Sequence, residues 1–189
     1  RQFVANTLGS MNSVAKGAAP ALVEGLNDAD AGVRNAIVEA LRRIGPDAVP
    51  ALIPAVAADD VLTRGNAVLA LGRLGPGAKP AAFALGMALK DPDTGVRKSA
   101  AVAIGQLRQE GRTVTASLAQ ALKDADEAVR VEAAMALQMT GVPRDDAVWK
   151  TAMPVLIAML TNKDHGLQGR ARGALVHVGP ACVPMLLKP

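Results

Sequence analysis

The side chains that most often bind metals or act as nucleophiles are scarce in this sequence. Its 189 residues include two histidines, His165 and His177, and one cysteine, Cys182. No second histidine or cysteine lies at the spacing of a metal site, and the sequence contains neither a glycine-rich phosphate loop nor a G-x-S-x-G motif. We therefore expect no metal, no cofactor and no enzymatic activity, and we interpret Cys182 as a buried, unreactive thiol.

The composition is typical of an ordered helical protein. Hydrophobic residues make up 50% of the chain and charged residues 20%, which excludes wholesale disorder. Aromatic residues make up only 2%, whereas β-rich folds and base-stacking surfaces usually need more. No apolar run reaches the length of a membrane span, and the first residues lack the apolar core of a secretory signal. The sequence names no compartment, and the cytoplasm is the default expectation.

A stretch similar to DPDTGVRKSAAVAIGQL recurs along the chain. The arginine in it serves as a reference position that we name the anchor. Arg34, Arg64, Arg97 and Arg130 follow one another at intervals of 30, 33 and 33 residues, and Gln168 takes the same place 38 residues later. Repeats of this length are typical of solenoids.

Each copy of this stretch contains two apolar patterns with helical spacing. Alanine stands six positions after the anchor and leucine or isoleucine seven after it, on one face of a helix that we name helix B. Leucine recurs twelve positions before the anchor, on a preceding helix A. Helix B usually ends at a glycine that we expect to form a left-handed C-cap. These glycines are Gly45, Gly75, Gly141 and Gly179.

Aspartate stands four positions before the anchor in every copy. A short acceptor there satisfies free backbone N–H groups and the positive end of the helix dipole, so these residues are predicted to cap helix B. They are Asp30, Asp60, Asp93, Asp126 and Asp164. Prolines such as Pro154 are expected near the start of helix A, whereas Pro54 falls deeper and should kink its helix.

The pattern resembles HEAT repeats. A valine before the anchor, the motif R-x-x-A-x-x-A-[LI], and an aspartate six positions before the anchor at Asp28, Asp91 and Asp124 carry the resemblance. The short period and phrases such as DPDTGVRKSAAVAIGQL are most similar to the HEAT-like class of the phycobilisome-lyase type. The departures are Ala58 in place of aspartate, Gln168 in place of arginine, Arg108 in place of glycine, and the insert TGVPRDDAVWK.

The resemblance implies an all-α fold, a right-handed α-solenoid of about five antiparallel helix pairs, with hydrogen bonds between the Asp and Arg columns that link successive units. We expect a single array over residues 1–189. Its units should span about 17–45, 46–75, 76–108, 109–141 and 142–179. Residues 1–15 align with a helix B and PACVPMLLKP with the start of a helix A, so we expect partial units at both ends and a fragment of a longer solenoid.

In HEAT-type stacks the B helices line the concave side. The positions one, five and eight after the anchor lie opposite the core face. Glycine in a helix costs about 0.5–1 kcal/mol relative to alanine, so we expect the glycines there to admit another chain, unless the superhelix or other parts of the parent chain cover this face. The predicted partner-binding residues are Leu69, Val102, Met135, Gly72, Gly105, Val131 and Met139.

The functional alternatives come from different classes. The favoured one is a non-catalytic scaffold that binds a protein or peptide segment in the concave groove. Another is an electrostatic platform for nucleic acid or another polyanion along Arg42, Arg43 and Arg73. The net charge of +4 is only mildly basic and the anchor arginines are expected to be paired, so solvated helix ends are the simpler interpretation of these cations. A third is a lyase or chaperone-type subunit that acts with a partner, because some HEAT-like proteins are bilin lyases. The low aromatic content argues against the DNA glycosylases of this family. We expect the single tryptophan, Trp149, to pack against the fifth helix A.

Overall fold

A computed structural model of the chain describes residues 1–143, 147–163 and 165–179. Over these ranges the chain forms eleven α-helices and no strand. The helices are α1 (Gln2–Ser10), α2 (Ala19–Glu24), α3 (Ala31–Ile44), α4 (Val49–Ala55), α5 (Val61–Leu74), α6 (Ala82–Ala88), α7 (Thr94–Gln106), α8 (Thr115–Ala121), α9 (Glu127–Met139), α10 (Val148–Met159) and α11 (His165–Val178). Across the described ranges, each helix is too short or too polar to cross a lipid bilayer.

The helices form two layers, as the repeat predicted. The A layer contains α2, α4, α6, α8 and α10, and the B layer contains α3, α5, α7, α9 and α11. These are the five antiparallel pairs of a right-handed α-solenoid, which confirms the predicted fold class. The first helix, α1, packs against α3 in the place that a preceding B helix would take.

The core lies between the two layers and between successive pairs. Leu41, Leu71, Ile104 and Leu137, seven positions after their anchors, are fully buried. The matching leucines of the A helices, Leu52, Leu85, Leu118 and Leu156, are fully buried as well. Burial of each such side chain stabilises the fold by about 1.5–3 kcal/mol, so these columns hold the layers together.

Capping aspartates start four of the B helices. The side chains of Asp30, Asp60, Asp93 and Asp126 accept hydrogen bonds of 2.6–3.1 Å from backbone N–H groups two or three residues later. The capping role is therefore confirmed at these four positions. Asp164 lies outside the described residues, as do Cys182 and the segment PACVPMLLKP.

The ends of the B helices require positive φ angles. Gly45, Gly75, Gly141 and Gly179 have φ between 58° and 85°, which explains why glycine stands there. The predicted left-handed helical cap is wrong at Gly45 and Gly75, because their ψ angles of −153° and −136° lie outside that region. Arg108 takes the corresponding place after α7 and has φ 56°. An L-residue with a side chain pays a steric cost for this backbone conformation that glycine does not.

Two prolines differ from the expectation. Pro54 does not kink a longer helix, because α4 ends one residue later at Ala55. Pro154 lies inside α10 rather than near its start, because that helix begins at Val148. Trp149 supports the early start, since it is 2% exposed and its Nε1 donates to the Pro143 carbonyl oxygen at 2.8 Å. The expected packing role of Trp149 is confirmed.

Replacement of Arg108 by glycine should stabilise the protein. The change Arg108→Gly removes the steric cost of the positive φ angle, so we expect a gain of about 1 kcal/mol and a melting temperature about 2–4 °C higher. Gln109→Gly is the matched control, because Gln109 is exposed and has no positive φ angle, and it should lower the melting temperature. A decrease for Arg108→Gly would show that the backbone is not strained there. Thermal unfolding followed by circular dichroism measures both.

Candidate functional site

The anchor arginines first hold their own units together. In each case Nη1 donates to the carbonyl oxygens six and five residues earlier, in the turn between helix A and helix B. Gln168 replaces this arginine in the fifth unit, and its Nε2 donates to the Asn162 carbonyl oxygen at 2.6 Å. The anchor side chain therefore stabilises the turn of its own unit, whether or not the next unit supplies an aspartate that it can bind.

Some of these arginines also reach the next unit. Arg64 donates to both carboxylate oxygens of Asp91, at 2.7 and 3.0 Å. Arg97 donates in the same way to Asp124, at 2.8 and 3.1 Å. Arg1 makes the equivalent ion pair with Asp28 at 2.7 Å. These three contacts are the ladder that the family resemblance implied.

The ladder is interrupted at two junctions, so the expectation that it pairs all four anchor arginines is wrong. Arg34 and Arg130 form no ion pair with any residue that the structure describes. The reason is in the sequence, because Ala58 and Asn162 occupy the positions that correspond to Asp91 and Asp124. The α3/α5 and α9/α11 junctions therefore lack this link.

Glycines mark the same three junctions that the ladder marks. A Cβ atom on Gly9 would lie 2.9 Å from Ala40 Cα, one on Gly72 would lie 3.1 Å from Ala103 Cα, and one on Gly105 would lie 3.3 Å from Ala136 Cα. The glycines stand eight positions after an anchor, and they face the alanine six positions after the next anchor.

The prediction that Gly72 and Gly105 make room for another protein chain is therefore wrong. Both glycines are buried, and the neighbouring helix of the same solenoid takes up the space. Arg42 and Gln138 stand at the equivalent position in α3 and α9, before the two junctions that lack the ladder.

Those two junctions have polar links of a different kind. Asn66 Nδ2 donates to the Leu26 carbonyl oxygen at 2.8 Å and so ties α5 to the first unit. Arg170 donates to both carboxylate oxygens of Glu132, at 3.1 and 2.8 Å, and so ties α11 to α9. Both donors stand two positions after an anchor. Sequence inspection missed these links because each is made once and forms no column.

The exposed face of the B layer contains a depression between α5 and α7. Its volume is about 370 Å³, and Leu69 and Val102, each 37% exposed, lie on its wall. Gly72 and Ala103, which bring the two helices together, also line it. Leu69, Val102 and Met135 are the predicted binding residues five positions after their anchors, and we name them the apolar row. Its first two members, Leu69 and Val102, are thus adjacent and accessible.

The expectation that the accessible apolar row continues to Met135 on α9 is wrong. Met135 is 4% exposed and Val131 3% exposed, so both belong to the core. Their burial follows from the fifth helix pair, because α10 and α11 both pack on α9, and the Arg170–Glu132 pair lies one turn from Met135. Met139 is half-buried, with its sulfur over Gly105. The accessible apolar surface therefore centres on α5 and α7.

The cations near this face differ in whether they are paired. Arg42 and Arg43 both donate to Glu39, at 2.7–3.0 Å, and the Arg42 hydrogen bond lowers the pKa of Glu39 to about 2. Glu39 therefore stays ionised at neutral pH and offsets part of their charge. Arg73 and Lys98 line the depression, and their side chains contact no hydrogen-bond or ion-pair partner within the described ranges.

Comparison with known proteins gives one family and a set of similar folds. The sequence profile described as HEAT repeats matches residues 1–72, 19–105 and 84–176. No curated protein sequence matches the chain significantly.

Solved structures with a similar fold include the complex of CpcE and CpcF of phycocyanin lyase from Nostoc sp. PCC7120, with 20% identity, 84% of this chain and 98% of that chain covered, and a TM-score of 0.67. A designed armadillo repeat protein in complex with the peptide (KR)4 has 19% identity, coverage of 94% and 91%, and a TM-score of 0.62. An engineered protein has 22% identity, the same coverage and a TM-score of 0.64. At these identities the similarity concerns the fold alone.

The ladder should make stability depend on pH through Asp124. The Arg97 hydrogen bond lowers the pKa of Asp124 below its ordinary value. The pair therefore contributes stability above the unfolded pKa of about 4 and loses it as the pH falls through the lower folded value. Asp124→Asn should cost about 1–2 kcal/mol at pH 7, and the deficit relative to wild type should shrink below pH 4. Denaturant unfolding of the wild type and the variant at pH 7 and at a pH below 4 measures the difference in the free energy of unfolding.

Asp59→Asn is the control for Asp124→Asn, since the exposed Asp59 side chain makes no ion pair. Asp59→Asn should change stability by less than about 0.5 kcal/mol at either pH. Equal effects of the two substitutions would show that the ladder does not stabilise the stack.

The close contact at Gly72 should tolerate no larger side chain. Gly72→Leu must push α5 away from α7, so we expect a loss of about 1–3 kcal/mol. Gly173→Leu is the matched control, because a Cβ atom at Gly173 in α11 meets nothing within 4 Å. That substitution should be neutral or stabilise by about 0.5–1 kcal/mol through helix propensity. If Gly72→Leu is equally harmless, the two helices are not held at this distance by the glycine.

Proposed function

This chain belongs to the HEAT repeat family, and we propose that it is a non-catalytic scaffold that binds a segment of a partner protein on the exposed face of its B helices. HEAT and armadillo-like solenoids generally serve protein interactions. Two proteins of similar fold are consistent with this reading, since CpcE forms a complex with CpcF and the designed armadillo protein holds a peptide.

The observation that carries the proposal is the accessible apolar pair Leu69 and Val102. Both side chains point away from the columns that hold the stack together, and a depression of about 370 Å³ lies beside them. A fold does not need apolar residues at such positions, whereas a partner that buries them gains about 1.5–3 kcal/mol per side chain before ordering costs.

The proposed site differs from the one expected from the sequence. It contains Leu69 and Val102, with Gly72 as part of its floor, and Met139 with Gly105 beneath it at the α9 side. Met135 and Val131 support the site from the core and do not contact the partner, since both are buried.

The alternatives have less support. A polyanion platform along Arg42, Arg43 and Arg73 loses two of its cations to the Glu39 network. It predicts tight binding of a short DNA duplex that weakens steeply with salt. A lyase-type subunit is supported only by the fold similarity to the CpcE and CpcF complex.

The double substitution Leu69→Asp with Val102→Asp should abolish partner binding without unfolding the protein. Both sites are partly exposed, so the melting temperature should stay within a few degrees of wild type. The affinity for a partner, identified by affinity capture and then titrated in purified form, should fall at least about 100-fold, because two buried apolar contacts are lost.

Two further substitutions serve as controls. Val176→Asp places the same charge at a valine that is 76% exposed on α11, away from the depression, and should bind as wild type does. Met135→Asp should unfold the protein, because it puts a carboxylate into the core. A folded Leu69→Asp, Val102→Asp variant that retains its affinity would exclude this face as the binding site.

A further inference from the structure

We infer that the depression between α5 and α7 takes a partner segment in which a large apolar side chain lies between two carboxylates. The inference rests on the proposed function and adds the chemistry of the partner. It depends on the positions of Arg73 and Lys98, which line the depression together with Leu69 and Val102.

The relative position of the two helices follows from their glycine contacts. A Cβ atom on Gly72 would touch Ala103, and one on Gly65 would lie 3.9 Å from Val96 Cγ2. Gly72 and Gly65 are seven residues apart in α5, and Ala103 and Val96 are seven residues apart in α7. The same register at both ends shows that the helices run parallel and side by side.

This register orders the side chains along the common helix direction. With a rise of about 1.5 Å per residue, Lys98 lies about 7.5 Å before the level of the Gly72–Ala103 contact, and Arg73 lies about 1.5 Å after it. Leu69 and Val102 lie between these two levels. The depression therefore has a cationic residue at each end and an apolar centre, and the backbone levels of the two cationic residues are about 9 Å apart along the helices.

The charges at the two ends are available to a ligand. No carboxylate lines the depression, and its other polar side chains are Ser99 and Gln106. Two nearby acidic residues have other partners within the chain, since Asp91 pairs with Arg64 and Asp93 caps α7. Arg73 and Lys98 therefore favour an anionic ligand.

A protein segment suits this arrangement better than a nucleic acid does. Phosphates alone would leave Leu69 and Val102 without an apolar partner, whereas a peptide can place a leucine-sized side chain between two acidic ones. For a segment that lies parallel to α5 and α7, an axial separation of about 9 Å corresponds to about three residues of an extended strand or about six of a helix. The predicted ligand is thus an acidic segment with an apolar centre and a defined spacing.

Selection from a library of random peptides tests the inference. Peptides displayed on phage are selected on the 189-residue chain and depleted on its Leu69→Asp variant. We expect the enriched sequences to carry a large apolar residue flanked by Asp or Glu at one of the two spacings. Synthetic versions, measured by fluorescence anisotropy, should bind at least about 10-fold more weakly to Arg73→Glu with Lys98→Glu, and versions with Lys flanks should bind that variant better than wild type.

The matched control is Lys123→Glu with Arg172→Glu, which makes the same change in net charge at exposed sites outside the depression. It should leave the affinity within about twofold. Enriched peptides without acidic residues whose binding still requires Leu69 would overturn this inference and leave the proposed function standing. No enrichment over the Leu69→Asp variant would overturn both, and so would binding of a DNA duplex at the same residues in place of peptides.

Discussion

Neighbouring B helices can approach one another only as closely as their smallest facing residues allow, and the rest of this solenoid depends on that distance. At three junctions a glycine faces an alanine with almost no room for another carbon atom. The same three junctions carry an Arg–Asp pair. A guanidinium that also holds its own turn has a limited reach, so a close approach of the helices favours the pair wherever an aspartate is present as acceptor. The small residues at one end of the helices and the charged residues at the other therefore act together.

This dependence divides the stack into parts with different junctions. Helices α5, α7 and α9 share two close junctions and form its central block, which contains the depression. On either side, Arg42 and Gln138 replace the glycine, Ala58 and Asn162 replace the aspartate, and single polar links take over. The unusual intervals of 30 and 38 residues fall at these two junctions. A binding face on α5 and α7 thus has its two walls held by both kinds of contact.

Features that recur in every unit were predictable from the sequence, and features that depend on one particular neighbour were not. The capping aspartates and the buried leucines form columns, so their roles could be read directly. The burial of Met135 depends on how α10 and α11 pack after the insert, and nothing in α9 itself indicates it. The low helix propensity of the glycines was recognised in the sequence, but the prediction explained it by contact with a partner protein. The helix that contacts them belongs to the same chain. An alignment of each glycine with the alanine two positions earlier in the next unit would have indicated the close contact.

The ladder also bears on how such an array can grow during evolution. Arg64 and Asp91 are 27 residues apart and belong to one 33-residue stretch, 64–96, so this stretch supplies both members of its own link. An in-frame tandem duplication of it would place Gly72 of the first copy opposite Ala70 of the second, which is the facing pair already used in the stack. The array could then lengthen by recombination without inventing a new contact surface. A stretch that begins at Arg34 lacks this property, because it carries Ala58 where the acceptor is needed.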